Sequence, residues 1–277
     1  MPIPWSPRIG SPTILMTRTS GLSTVPITSR RQAGMARPSI SKPISRVPSI
    51  SISMRCVTRP PTPSPHMFPS AEDFAAAVGA MGISNDQRVI VYDADGLFSA
   101  PRVWWMFRVF GHQNVAVMRG GFRNWKAENR PVTSDIPSFV ATSFNAQLDA
   151  TKLRSISQIQ DNIESAAELV LDARAANRFD GSQPEARPGV EPGHIPGSTN
   201  LPYSEIIDVE AGTFRDADTL RAAFDRAGVD GSRTVATTCG SGVTACILGL
   251  GMHLVGRDNW ALYDGSWTEW GSHDDTI

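Results

Sequence analysis

Two stretches of this chain carry the same punctuation at the same spacing. Gly111 and Gly120 are nine residues apart, and so are Gly256 and Gly265. Trp125 follows Gly120 by five residues, and Trp270 follows Gly265 by five. The apolar runs ahead of these markers also match. Arg88-Val89-Ile90-Val91-Tyr92-Asp93 reads as a buried strand, and Ser99 is placed to cap a helix running through Trp104, Trp105 and Phe107 to Gly111. In the second copy, Thr234 to Thr238 is the strand, Val243 to about Val255 the helix, and Trp260 to Tyr263 the next strand. A repeat of this kind means two homologous units. The expected fold class is α/β, with tandem domains that are each a parallel sheet flanked by helices.

The copies differ at one telling position. Asp93 stands in the first where Cys239 stands in the second. Cys239 opens the turn Cys239-Gly240-Ser241-Gly242-Val243-Thr244-Ala245 between strand and helix. A thiol there faces the free N–H groups of the helix's first turn, and those donors with the helix dipole favour the anionic nucleophile. Only the second unit can do thiol chemistry. Cys246, one turn into the helix, reads as a core residue.

The second unit also has an earlier half. Leu169 to Arg174 is a strand with polar residues at its end, and Gly193-His194-Ile195-Pro196-Gly197 is a tight loop. Asp172 precedes Cys239 by 67 residues, so matching elements are due in the first copy near residues 23 to 50. They are missing. Met1 to Ser70 instead holds no Asp or Glu, and thirteen prolines exclude long helices. Ile50-Ser51-Ile52-Ser53 alternates like a strand, but one without a neighbour. Without its first strand, the first unit is expected to leave Phe74, Val78, Trp104 and Phe107 partly uncovered, and the chain prone to aggregate.

A net charge of −1 argues against nucleic acid as a partner, and no apolar run is long enough to span a membrane. Three cysteines without paired spacing argue against disulfides and a structural metal site, and suit a reducing, cytoplasmic setting.

From about Pro65 to Asp275 the chain resembles the two-domain rhodanese-type sulfurtransferases. The resemblance rests on Pro65-His66-Met67-Phe68-Pro69, Ser99-Ala100-Pro101-Arg102-Val103-Trp104-Trp105, the Gly193–Gly197 loop, the cysteine loop, and Tyr263-Asp264-Gly265-Ser266-Trp267. The loop with Gly240 and Ser241 is the form typical of members that use 3-mercaptopyruvate. Those that use thiosulfate usually carry basic residues there.

The family's N-terminal domain begins with a His-Ile-Pro-Gly loop and an Asp-Ile-Asp segment, absent here as written. Bases able to encode Ile44 to Arg55, read one base earlier, spell His-Ile-Pro-Gly-Ala-Val-His-Leu-Asp-Ile-Asp-Ala. Residues 1–64 therefore read as an out-of-frame segment without stable structure. Residues 65–135 read as the remnant of a non-catalytic rhodanese-like domain, and 145–277 as the catalytic one. A transit peptide or Pro/Ser-rich disorder would share the composition of 1–64 but not the missing half-domain.

The resemblance implies a sulfurtransferase that moves sulfur from 3-mercaptopyruvate through a persulfide on Cys239 to a thiol acceptor, such as thioredoxin or a small thiol, or to cyanide. It implies no cofactor and no metal. Ser241 and His66 are the implied catalytic partners of Cys239, for carbonyl contact and proton transfer. Arg178 and Arg187 are the implied carboxylate ligands, and Gly240, Gly242, Val243 and Thr244 supply the turn that cradles the sulfur. The family's acidic partner for His66 falls in the out-of-frame segment. Asp172 and Arg174 are expected to organise the loop, and Trp104, Trp105, Trp267 and Trp270 to be core or interface. Three alternatives stand beside this reading. A thiosulfate sulfurtransferase would carry cations beside the cysteine. A cysteine-dependent phosphatase needs an arginine where Ala245 stands. An inactive binding module would follow from the damaged first half.

Overall fold

The computed structural model describes residues 66–94, 96–132 and 138–272, with the backbone of two short strands at 13–17 and 49–51. The first unit contains β1 (Thr13–Thr17), β2 (Ser49–Ser51), α1 (Ala71–Ala80), β3 (Arg88–Tyr92), α2 (Ala100–Val109), β4 (Val115–Val117) and α3 (Gly121–Ala127). The second begins with β5 (Leu153–Arg154), α4 (Ile156–Ser165), β6 (Glu168–Asp172), α5 (Ala176–Phe179), β7 (Thr199–Asn200) and α6 (Tyr203–Ile206). It continues with β8 (Ile207–Asp208), β9 (Thr213–Phe214), α7 (Ala217–Arg226), β10 (Thr234–Thr238), α8 (Ala245–Leu254), β11 (Trp260–Tyr263) and α9 (Ser266–Trp270). The repeat read from the glycines is thus a repeat of elements. β3 and β10 are five residues each, and α2 and α8 are ten each.

The second sheet has the order β5-β11-β10-β6-β7, and every pair in it is parallel. Its central strand β10 is buried on both faces, as a parallel strand between helical layers must be. The first sheet, β2-β1-β3-β4, departs from the expectation. β3 and β4 are parallel, but β1 lies antiparallel to both β2 and β3. The edge of β3 carries N–H and C=O groups that need partners. Thr13–Thr17, rich in residues that favour strands, meets that need. So Ser49–Ser51 does not stand alone, and 1–64 is not wholly without regular structure. The rest of that segment lies outside the described residues.

The apolar faces of the first unit are covered. Phe74, Val78, Trp104 and Phe107 are all buried. Phe74 stacks on Phe110 at 4.4 Å and meets Phe107 and Phe144 edge-on at 5.2 and 5.9 Å. Phe144 comes from the segment linking the two units and meets Phe74 of α1 and Phe107 of α2 edge-on. One core cluster runs through both units, with α2 packed on α8. Trp105 stacks on Trp260 across the interface, ring centroids 3.8 Å apart. Trp267 and Trp270 belong to a second cluster on the opposite face of the second sheet. No helix among the described residues is long and apolar enough to cross a membrane.

The Trp260 ring is pressed against the α8 backbone. A Cβ added at Gly249 would lie 2.1 Å from Cη2 of Trp260. The ring cannot retreat, because Trp105 is stacked on it. Gly249→Ala is expected to destabilise the chain by about 1–3 kcal/mol, since overpacking forces ring and helix apart. A denaturant melt alongside Gly256→Ala, where a Cβ meets nothing within 4 Å but φ is +80°, separates packing from backbone strain.

Candidate active site

Cys239 follows β10 directly, at the carboxyl end of the central parallel strand, where α/β sheets place their sites. It is 2 % exposed. Helix α9 grips its peptide from both sides. The Cys239 N–H donates to Ser266 Oγ at 3.2 Å, and the Cys239 carbonyl accepts from the Trp267 N–H at 2.9 Å. The Gly240 carbonyl accepts from both the N–H (2.9 Å) and the hydroxyl of Thr268.

The helix after the cysteine starts at Ala245, two residues later than expected, which leaves the turn before it open. Among the described residues no acceptor meets the N–H groups of Gly240 through Ala245. A run of N–H groups without acceptors at a helix start suits an anion. Gly242 makes the turn at φ +74°, and a Cβ there would lie 2.8 Å from the Asp264 carbonyl oxygen and 2.9 Å from Arg102 Nη1. Ser241 is half-buried, and no described group bonds its hydroxyl. Val243 is buried, and Thr244 takes the N-cap position without a side-chain cap bond.

The same turn in the first unit is already filled. Asp93 Oδ2 accepts from the N–H groups of Phe98 (2.8 Å), Ser99 (3.1 Å) and Ala100 (3.2 Å). This corrects the expected cap: Ser99 stands at the N-cap, but its side chain makes no cap bond there. The longer arm of Asp93 reaches those donors first. A carboxylate thus occupies in the first unit the cradle that Cys239 faces in the second.

The arginines flank the loop unequally. Arg178, on α5, lies against Gly240, whose added Cβ would sit 3.1 Å from its Nη2. Its fork is engaged by Glu185, through Nε at 3.2 Å and through Nη2. Arg174 holds the same glutamate at 2.9 Å, Asp172 at 2.7 Å and the Gly193 carbonyl at 2.8 Å, with its guanidinium 4.6 Å over the Trp267 ring. Asp172 and Arg174 therefore brace the loop. Arg187 pairs with no carboxylate among the described residues, and its Nη1 donates to Thr268 Oγ1. Burial holds Arg187 below the usual arginine value; Cys239 and Glu185 oppose that, and Arg178 adds to it.

His66 reaches this side of the molecule through Arg102. That side chain is 0 % exposed; its Nη1 donates to the Gly242 carbonyl at 3.2 Å, and its Nη2 donates to the His66 carbonyl. Nη2 also pairs with Asp264 Oδ1 at 2.6 Å, and Asp264 Oδ2 accepts from the Phe68 N–H at 2.6 Å. Burial lowers the His66 pKa; Arg187 and Arg102 lower it further, and Asp264 opposes them. Cys246 lies beside this cluster: its thiol donates to the same Gly242 carbonyl at 3.4 Å, and burial pushes its pKa up to about 12 against the opposing pull of Arg102. Among the described residues no group of three His, Cys, Asp or Glu side chains is placed to hold a metal.

Sequence reasoning missed Arg102 and Asp264 as a pair, and Glu185, Ser266 and Thr268 as partners. Arg102 had a signal: it is a charge inside Val103-Trp104-Trp105-Met106-Phe107's apolar helix, where a charge must find a partner.

A family model described as the Rhodanese-like domain matches residues 48–128 and 155–273. A Rattus norvegicus protein named 3-mercaptopyruvate sulfurtransferase is 46% identical over 211 residues, 76% of this chain and 71% of that one. A Bos taurus protein named thiosulfate sulfurtransferase is 46% identical over 207 residues, 74% and 69% of the two chains. Among solved structures, SseA from Escherichia coli, described as a 3-mercaptopyruvate sulfotransferase, gives a TM-score of 0.70 at 33% identity. That match covers 78% of this chain and 80% of SseA.

The buried pair makes a stability prediction. Arg102→Met leaves Asp264 with an uncompensated charge and is expected to cost about 3–5 kcal/mol. Arg226→Met, which breaks an exposed pair with Glu205, should cost about 0–1 kcal/mol. Chemical denaturation of both variants against the parent chain checks the contrast.

Proposed function

The chain belongs to the rhodanese-like family, and from that premise we propose that it is a sulfurtransferase taking sulfur from 3-mercaptopyruvate. The observation that carries this reading is the open N–H nest around Cys239, closed by glycines and Ser241 rather than by lysine or arginine side chains. An unfilled nest suits an anionic terminal sulfur. We assign the chemistry to residues 145–277 and read 65–135 as the non-catalytic partner, because Asp93 fills the equivalent nest there.

The Cys239 thiolate attacks the substrate's thiol sulfur, and the carbon–sulfur bond breaks towards the carbonyl. Neutral His66 takes the thiol proton and returns it to the enolate carbon, giving pyruvate. Ser241 donates to the carbonyl oxygen while it carries charge. Cys239 keeps the sulfur as a persulfide anion lying over the N–H groups of Gly240 to Thr244, with Gly242 giving the approach and Val243 excluding water. Arg187 and Arg178 hold the substrate carboxylate. An acceptor thiol, on thioredoxin or a small molecule, or cyanide then attacks the outer sulfur and restores the thiolate. Cys239 and Cys246 are free, in keeping with a reducing, cytoplasmic setting.

Thiosulfate is the second reading, favoured by the guanidinium of Arg178 against Gly240. The ratio of kcat/KM for the two donors decides between them.

Two outcomes are expected. Cys239→Ser should abolish pyruvate release from 3-mercaptopyruvate; release at the parent rate would end this mechanism. The second concerns pH. His66 has a lowered pKa, so it stays neutral at pH 7 and gains its proton only below the ordinary histidine value of about 6.5. The acid limb of kcat/KM should therefore lie below that value and disappear in His66→Asn.

A further inference from the structure

Thr268 is a small buried residue on α9, five residues after the end of β11, and its hydroxyl stands between two parts of the site. It accepts from Arg187 Nη1 and donates to the Gly240 carbonyl. Its own N–H donates to that same carbonyl at 2.9 Å, so the residue cannot slide relative to the cysteine loop. Arg178 has a carboxylate to fix its fork, but Arg187 has none among the described residues. The threonine hydroxyl is the neutral substitute. It fixes the direction of the guanidinium without pairing its charge.

Resting on the function proposed above, we propose that Thr268 is a positioning residue for substrate. It seats Arg187 at a set distance from Cys239, so that a donor's carboxylate and its sulfur are measured against one rigid ruler. A carboxylate at Glu185's distance would cancel the cation, and an apolar side chain would let the long arginine swing. A hydroxyl does neither. The inference therefore also names the selected class: small anionic donors whose carboxylate and sulfur are separated by the span from Arg187 to Cys239.

Alkylation of Cys239 tests this without turnover. Iodoacetate carries a carboxylate and iodoacetamide does not, so the ratio of their rates reads the guidance given by Arg187. Thr268→Val keeps the shape and removes the hydroxyl; Thr268→Ser keeps the hydroxyl. Loss of one charge-assisted hydrogen bond should lower the iodoacetate-to-iodoacetamide ratio about tenfold in Thr268→Val, with Thr268→Ser within about twofold of the parent. In an Arg187→Ala background, Thr268→Val should have no further effect. In turnover, Thr268→Val should raise KM for 3-mercaptopyruvate by a similar factor, with kcat changed less. An unchanged ratio, an equal slowing with both reagents, or failure of serine to restore the ratio overturns the inference. A parent chain that shows the ratio effect but releases no pyruvate overturns the proposed donor and leaves the role of Thr268 standing.

Discussion

A guanidinium buried without exposure is the constraint that orders this molecule. Arg102 belongs to the first unit, yet its charge is met by Asp264 in the second. The pair draws in the His66 carbonyl, the Phe68 N–H and the Gly242 carbonyl, and Phe68 covers it with its ring at 4.2 Å. These groups come from three places far apart in sequence. Burying a charge is unfavourable unless it is paired, so the contacts of Arg102 hold only when these places are in register. The turn that carries Cys239 is thereby tied to the docking of one unit on the other. Gly242 shows how tight the tie is, because the space for its Cβ is taken by Arg102 and by Asp264.

The duplication explains the asymmetry of the site. Both units build a strand, a turn and a ten-residue helix, and each turn leaves its backbone N–H groups to be answered from outside the helix. In the first, Asp93 answers those donors from within the chain, which stabilises the turn and closes it. In the second, a shorter thiol leaves the donors open. A carboxylate held by three N–H groups is, in effect, a resident example of the ligand class the other turn would accept.

Much of this was legible beforehand. The glycine and tryptophan spacings located the paired elements, and the cysteine loop placed its thiol at a strand end because periodicity and turn chemistry are local. What failed was non-local. The strand Thr13–Thr17 was not read at all, since residues 1–64 were expected to lack stable structure and only the open edge of β3 recruits it. Arg102 was visible as a charge in an apolar helix, but its partner lies 162 positions on, and no local pattern links the two. Arg178 and Arg187 read as equivalent, being close in sequence and identical in type. Glu185 makes them different, by a contact that depends on how the loop folds back. The cover over Phe74 came from Phe144, in a linker whose sequence has no periodicity to announce it.

The stacked indoles of Trp105 and Trp260 have an optical consequence. Two rings with centroids 3.8 Å apart and planes inclined by 24° couple their electronic transitions. The rings sit in different units, so the coupled signal exists only in the docked molecule. The interface thus carries an intrinsic chromophore pair, with Trp104 beside it at 5.7 Å from Trp105, and the share of the near-ultraviolet dichroism that comes from Trp105 and Trp260 tracks the union of the two halves.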